Sequence, residues 1–238
     1  MLCNFLKVES ETGVRWRGAL ASLTIENYVK TIYQLCAKKD GKPATTGQIA
    51  NALDVSPGTV TSMLKTLSAS SMVTYTPYEG VQLTDSGRIL ALRIIRRHRL
   101  IELFLVQTLG LSWDEVHEEA ENMEHAVSDL LIDRIDDYLG YPDSDPHGDP
   151  IPNSDGIVPS ATSQCLSMCD ANSSFRLVRV LDQSSDFLRY LSEVGLTLDS
   201  TGLVLSNRTE AGVLDIKLPA GERTIGREVA DKLLVVDA

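Results

Sequence analysis

The chain has 238 residues, 43% hydrophobic and 23% charged. That is the make-up of a soluble globular protein with length for one large or two to three small domains, and it excludes collagen-like and disordered classes. Net charge is −11, but residues 1–99 carry 13 Lys+Arg against 7 Asp+Glu while residues 100–238 carry 9 against 26, so a polyanion partner is expected in front, and metal cations or plain solubility behind.

Aromatics make up 5%, too few for a base-stacking platform. No apolar run reaches the roughly 18–20 residues of a membrane span, because Glu102 interrupts the best candidate at 100–111. The first seven residues are too short and too lightly basic for a secretory signal. Four scattered cysteines (Cys3, Cys36, Cys165, Cys169) form no disulfide framework, so a cytoplasmic location is expected. Cys165 and Cys169 lack a second Cys/His pair nearby and read as incidental.

Residues 1–22 show no period and read as a leader. From Thr24, a plausible N-cap, Ile25, Val29, Ile32, Tyr33 and Leu35 form a helical stripe. A charged turn at 38–43 leads to a short helix opening at Thr45 and Thr46, with Ile49, Ala50 and Leu53 inward. Ser56 then caps a helix over 58–68, with Pro57 before it. Strand-like runs at 72–76 and 81–84 flank a hairpin at Tyr78-Glu79-Gly80. A long helix over 86–109 starts basic (Arg88, Arg93, Arg96, Arg97, Arg99) and turns apolar, and a second is expected over 113–139. Residues 141–174, rich in Pro, Asp, Ser and Gly, read as a linker. Beyond it, short strands at 176–181, 197–198, 202–206, 213–218 and 233–236, with a helix at 186–194, make a small α+β or barrel domain.

Helix, tight turn, helix and hairpin over 45–84 outline a winged helix-turn-helix. Its second helix buries Val60, Leu64 and Leu67 and turns Thr59, Thr61, Ser62 and Lys65 outward. Small hydroxyls and one Lys can approach base edges and phosphates in a major groove. Ser56, Pro57 and Thr46, at helix starts, complete the expected DNA-binding set, and the double-stranded DNA partner follows from it. A solvated Ser/Thr face on a plain packing unit is the bland alternative.

Three of the four histidines lie within 28 residues, each with a carboxylate at helical spacing. His98 with Glu102 and His117 with Glu121 are i, i+4, and Glu121, Glu124 and His125 share one face. Imidazole and carboxylate without thiolate suit Mn2+ or Fe2+ better than structural Zn2+. A zinc protease would need a second His after His117-Glu118-Glu119-Ala120-Glu121, and a di-iron bundle would need paired Glu-x-x-His motifs, neither of which occurs. No catalytic residue and no small-molecule substrate are therefore expected.

In this order the sequence resembles the DtxR/MntR (diphtheria toxin repressor-like) metalloregulators over residues 23–152. The markers are Ile25–Tyr33, Ile49-Ala50, Val55–Thr61, Leu83-Thr84, Gly87-Arg88, Arg97–Glu102, Val116–Glu121, Glu124-His125 and Pro146–Pro152. The resemblance implies a mainly α protein: a winged helix-turn-helix domain (23–96), a helical dimerisation and metal-binding domain (97–152), a linker (153–174) and an SH3-like (FeoA-type) β-barrel (175–238). It also implies a cytoplasmic homodimeric repressor that binds a palindromic operator when loaded with Mn2+ or Fe2+.

Matching positions assign one metal site to Glu121, Glu124, His125 and Asn27, and another to His98, Glu102, His117 and Asp182. Glu121 stands where iron-responsive members place Cys, Asn27 where Met or Asp is usual, and Lys30 where manganese members offer Glu. A metal-buffering protein or a metal-independent winged-helix regulator are the alternatives.

Overall fold

The computed structural model describes residues 20–159 and 162–238, so the leader expected over 1–22 falls almost wholly outside the described residues. The chain forms two compact units, Met1–Ile94 and Ile95–Ala238.

In the first unit, helix α1 (Leu20–Ala37) is followed by α2 (Thr46–Ala52), α3 (Pro57–Ala69) and the strands β1 (Val73–Thr76) and β2 (Gly80–Leu83). Thr24 lies inside α1 and is not its cap. Helix α2 begins with a capping box: the Thr45 hydroxyl accepts from the Gln48 N–H, and the Gln48 side chain accepts from the Thr45 N–H. At α3 the Ser56 side chain accepts from the Thr59 N–H, with Pro57 in the first turn. Strands β1 and β2 pair antiparallel from Val73 opposite Leu83 to Thr76 opposite Gly80. Val29, Ile32, Ile49, Val60, Leu64, Leu67 and Met72 are fully buried in one core, so the aliphatic face of α3 is held inward.

Helix α4 (Asp85–Phe104) contributes residues to both units, and its last turn widens into a π-turn over Leu105–Leu109 that closes at Gly110. The single helix expected over 113–139 is two: α5 (Val116–Met123) and α6 (Asp129–Tyr138). The break follows from Ser128, which leaves the helical region of the backbone and uses its hydroxyl to cap α6 at the Leu131 N–H. Leu100, Ile101, Val116, Ala120, Ile132, Ile135 and Ile151 form a second core.

Residues 141–174 are not a featureless linker. Ser144 bridges Pro150, Asp145 and His147 are buried, and β3 (Gln164–Cys165) lies within the stretch. The remaining elements are β4 (Ser174–Val180), α7 (Ser185–Val194), β5 (Thr201–Arg208), β6 (Val213–Leu218), β7 (Gly221–Gly226), α8 (Arg227–Ala230) and β8 (Leu233–Val236). They build a six-stranded antiparallel sheet in the order β3-β8-β4-β5-β6-β7.

Among the described residues the end strands β3 and β7 do not pair with each other, so the sheet is not shown to close into a barrel. Residues 197–198 are not a strand; a turn at 198–199 leads into β5. Trp113 packs on this domain's core and donates its Nε1–H to Ser192 Oγ at 3.0 Å. The Val180 N–H donates to the His147 carbonyl at 2.9 Å.

Candidate metal centre and nucleic-acid interface

Helix α4 carries His98 and Glu102 one turn apart, and α5 carries His117 and Glu121 likewise, with Glu124 and His125 just beyond its end. The two helices bring these side chains together. The His98 ring sits between carboxylates, its Nε2 2.9 Å from Glu102 Oε1 and its Nδ1 2.7 Å from Glu124 Oε2. His117 Nδ1 lies 3.3 Å from Glu102 Oε1 and 3.2 Å from His98 Nε2. Glu121 Oε1 is 3.7 Å from His98 Nδ1 and 3.8 Å from His117 Nε2, and His125 Nε2 is 3.2 Å from Glu124 Oε1. His98, Glu102 and Glu124 are buried, while His117 and Glu121 remain half-exposed.

The two ligand sets expected from the sequence therefore form one continuous cluster, joined at His98. Asp182 Oδ2 pairs with Lys232 Nζ at 2.8 Å, and its Oδ1 accepts from the Ser184 N–H and hydroxyl. Asn27 stands on α1 of the first unit, its Oδ1 buried without a hydrogen-bond partner.

Burial alone would raise the Glu102 carboxyl. The hydrogen bonds from His117 and His98, with the electrostatic pull of the neighbouring imidazoles, overcome it and hold this acid far below the usual carboxylate range. Asp145 goes the other way, pushed well up by burial and then by the charges of Asp149 and Glu102, against Arg99 and the His147 N–H.

The cluster's donors are imidazole nitrogen and carboxylate oxygen, three of the residues fully enclosed. Gathering this much negative charge out of water is costly unless a cation or protons neutralise it. A divalent first-row ion fits that donor chemistry. The described cysteines are no part of it: Cys36 Sγ faces the Val81 carbonyl, and Cys169 lies beside Cys165 and Gln164.

Sequence reasoning gave no role to the fourth histidine. His147 is fully buried and groups with Glu102 and Asp145. The available signal was the Asp145-Pro146-His147-Gly148-Asp149 run itself, a histidine flanked by acids in a stretch otherwise read as linker.

On the DNA side, Thr59, Ser62 and Lys65 are exposed on α3 and Thr61 partly so, while Thr46 is half-buried at the start of α2. The Ser56 and Thr59 hydroxyls lie 2.9 Å apart, and Thr61 Oγ1 donates to the Pro57 carbonyl at 2.9 Å. Ser62 and Lys65 likewise keep exposed side chains on α3. Arg88 is exposed. Arg96, Arg97 and Arg99 are not available to phosphate: they pair with Asp136 at 2.8 Å, Asp129 at 2.5 Å and Asp149 at 3.0 Å.

Comparison with known proteins matches residues 21–81 to the family described as "Iron dependent repressor, N-terminal DNA binding domain". Residues 84–153 match "Iron dependent repressor, metal binding and dimerisation domain" and residues 164–237 the "FeoA domain". The chain is 38% identical over 118 residues to the HTH-type transcriptional regulator MJ0568 of Methanocaldococcus jannaschii, covering 50% of this chain and 94% of that one. It is 29% identical over 223 residues to the iron-dependent repressor IdeR of Mycobacterium leprae, covering 89% and 96%. A manganese-dependent transcriptional repressor solved in complex with manganese superposes with a TM-score of 0.79 at 38% identity, over 90% of this chain and all of that one.

Proposed function

The chain belongs to the DtxR/IdeR family and is a metal-dependent, DNA-binding transcriptional repressor rather than an enzyme, and from that premise we propose that Mn2+ or Fe2+ is its co-repressor and a palindromic operator its target. The observation that carries this reading is the His98 ring enclosed between Glu102 and Glu124, with His117, Glu121 and His125 around it. Glu121 supplies hard oxygen, which favours Mn2+, although the affinity order keeps Fe2+ competitive. Asn27 completes the ligand set by resemblance.

Ligand imidazoles bind metal only when deprotonated at the coordinating nitrogen, so loading releases protons and weakens as pH falls. The cation's work is to select one arrangement of the helix-turn-helix units in a homodimer. Two α3 helices are then presented about 34–36 Å apart, one turn of DNA, with Ser62, Lys65 and Thr59 reading the groove and Thr46, Ser56, Pro57 and Thr61 shaping its approach.

A gel-shift titration of the full chain on a promoter fragment, with Mn2+, Fe2+, Zn2+ and chelator as separate arms, tests the proposal. Retardation should require the metal, and Glu124→Ala and His125→Ala should abolish the metal response while leaving the fold intact by circular dichroism. Retardation indifferent to chelator would indicate a metal-independent regulator. Metal binding without any retardation would indicate a metal-buffering protein.

A further inference from the structure

We propose that Trp113 is a positioning residue for the metal centre: through it the FeoA domain holds the start of α5, and with it His117, against Glu102. The link rests on the metal centre proposed above, although Trp113 itself offers no ligand.

Helix α5 needs such a hold. It has 8 residues, and a helix that short is marginal in water without tertiary support. Helices α2, α3 and α6 open on the capping hydroxyls of Thr45, Ser56 and Ser128. Glu115, at the start of α5, makes no side-chain capping bond. The direction of that first turn is therefore set from outside the helix. His117 stands in it, half-exposed, with Nδ1 3.3 Å from Glu102 Oε1. A tilt of the turn by about 1 Å would take the imidazole out of productive geometry.

The outside hold comes from α7. Ser185, Arg189 and Ser192 are spaced i, i+4 and i+7, which is one face of that helix. All three engage Trp113 or Asp114. The Ser185 hydroxyl donates to the Asp114 carbonyl at 2.9 Å, and Arg189 Nη1 lies 3.5 Å from Asp114 Oδ2. Ser192 Oγ accepts the Trp113 Nε1–H at 3.0 Å while its own proton goes to the Leu188 carbonyl at 3.0 Å, so the indole bond has one polarity. The indole also packs on the core that contains Phe175, Leu188 and Leu191.

On the side of the helical domain, His147 fixes the same residue. Its Nε2–H donates to the Trp113 carbonyl at 2.7 Å, and its ring stacks on the indole with planes 17° from parallel. Trp113 is thus gripped at its indole nitrogen, its ring and its carbonyl, just ahead of Val116, where α5 begins. Undocking the FeoA domain would release the indole and loosen the turn that carries His117.

Calorimetric titration of Mn2+ into the full chain, paired with gel shifts on the promoter fragment, tests the link. Trp113→Ala should weaken Mn2+ binding about 10–100-fold, the range for residues that orient a ligand without touching the ion. Excess Mn2+ should restore full retardation, because positioning moves the midpoint of the metal response and not its plateau. Ser192→Ala, in the FeoA domain and offering the cluster no ligand, should weaken Mn2+ binding about 2–10-fold, the worth of one hydrogen bond. Trp113→Phe should do the same, and adding Ser192→Ala to it should change nothing, since both remove one bond. Wild-type Mn2+ affinity in Trp113→Phe and Ser192→Ala overturns the proposal and leaves the metal centre standing. Losses that add in their double variant, or a plateau that stays low at excess Mn2+, overturn it as well. These two variants keep the ring packing and decide the matter if Trp113→Ala does not fold. No Mn2+ binding by the wild type contradicts both readings.

Discussion

At the scale of single residues, the candidate metal centre depends on positions that carry no ligand. Gly148 follows His147 with φ +82°, and a Cβ built there would stand 2.0 Å from the Val178 carbonyl oxygen. Only glycine satisfies both the left-handed conformation and that approach. Gly148→Ala should cost about 2–4 kcal/mol, from left-handed strain plus displaced backbone, read as a lower urea midpoint. It should also weaken metal binding, because the same turn sets His147, which holds the Trp113 carbonyl. Wild-type stability in this variant would show that the turn yields freely.

Residues of this kind mark the limit of what the sequence disclosed. His98, Glu102, His117 and Glu121 were legible because helical spacing alone puts each pair on one face. His147 was not, since its partners Glu102 and Trp113 are 45 and 34 positions away and no local period connects them. Asp182 was assigned by matching positions, and only the fold shows its carboxylate engaged by Lys232.

At the scale of elements, local chemistry predicted what it controls. Thr45 with Gln48, and Ser56 with Pro57, announce α2 and α3 because capping is a contact within four residues. The break between α5 and α6 was hidden by an apolar repeat that continues through it, although Ser128 held the signal. The strand at Gly221–Gly226 was missed because Gly-Glu-Arg-Thr alternates poorly, and its partner β6 supplies the order.

Asp215 on β6 ties β5, β6 and β7 together, accepting from Thr224 Oγ1 at 2.6 Å and Ser206 Oγ at 2.7 Å and pairing with Arg208. Those bonds lower its carboxyl below the ordinary 3.8. A depressed carboxyl contributes stability that is present above the unfolded value and is lost as pH falls through the folded one. Asp215→Asn should therefore melt lower than wild type at neutral pH, and the gap should close on acidification below 3.8. A gap that is constant with pH would place the effect in packing instead.

At the scale of the whole molecule, the uneven charge of the chain needs a finer reading than its two halves suggest. Arg96, Arg97 and Arg99 are spent on Asp136, Asp129 and Asp149 within their own unit, so the basic surface left for DNA is smaller than the count implies. Lys65 and Arg88, both exposed in the first unit, are the groups we propose for that task. Lys65→Ala should lower the slope of log K against log salt by about 1 per protomer, the signature of one lost phosphate contact. An unchanged slope would move Lys65 off the backbone.

The central claim is that the enclosed imidazole–carboxylate cluster makes metal and operator binding one linked equilibrium. Thermodynamic reciprocity requires that whatever factor Mn2+ adds to operator affinity, the operator adds to Mn2+ affinity. The direct measurement is calorimetric titration of Mn2+ into the full chain with and without saturating operator. The account predicts tighter Mn2+ binding with DNA present by the factor seen in the gel shift, and no such gain in Glu124→Ala. Equal Mn2+ affinity in the two wild-type titrations would contradict it.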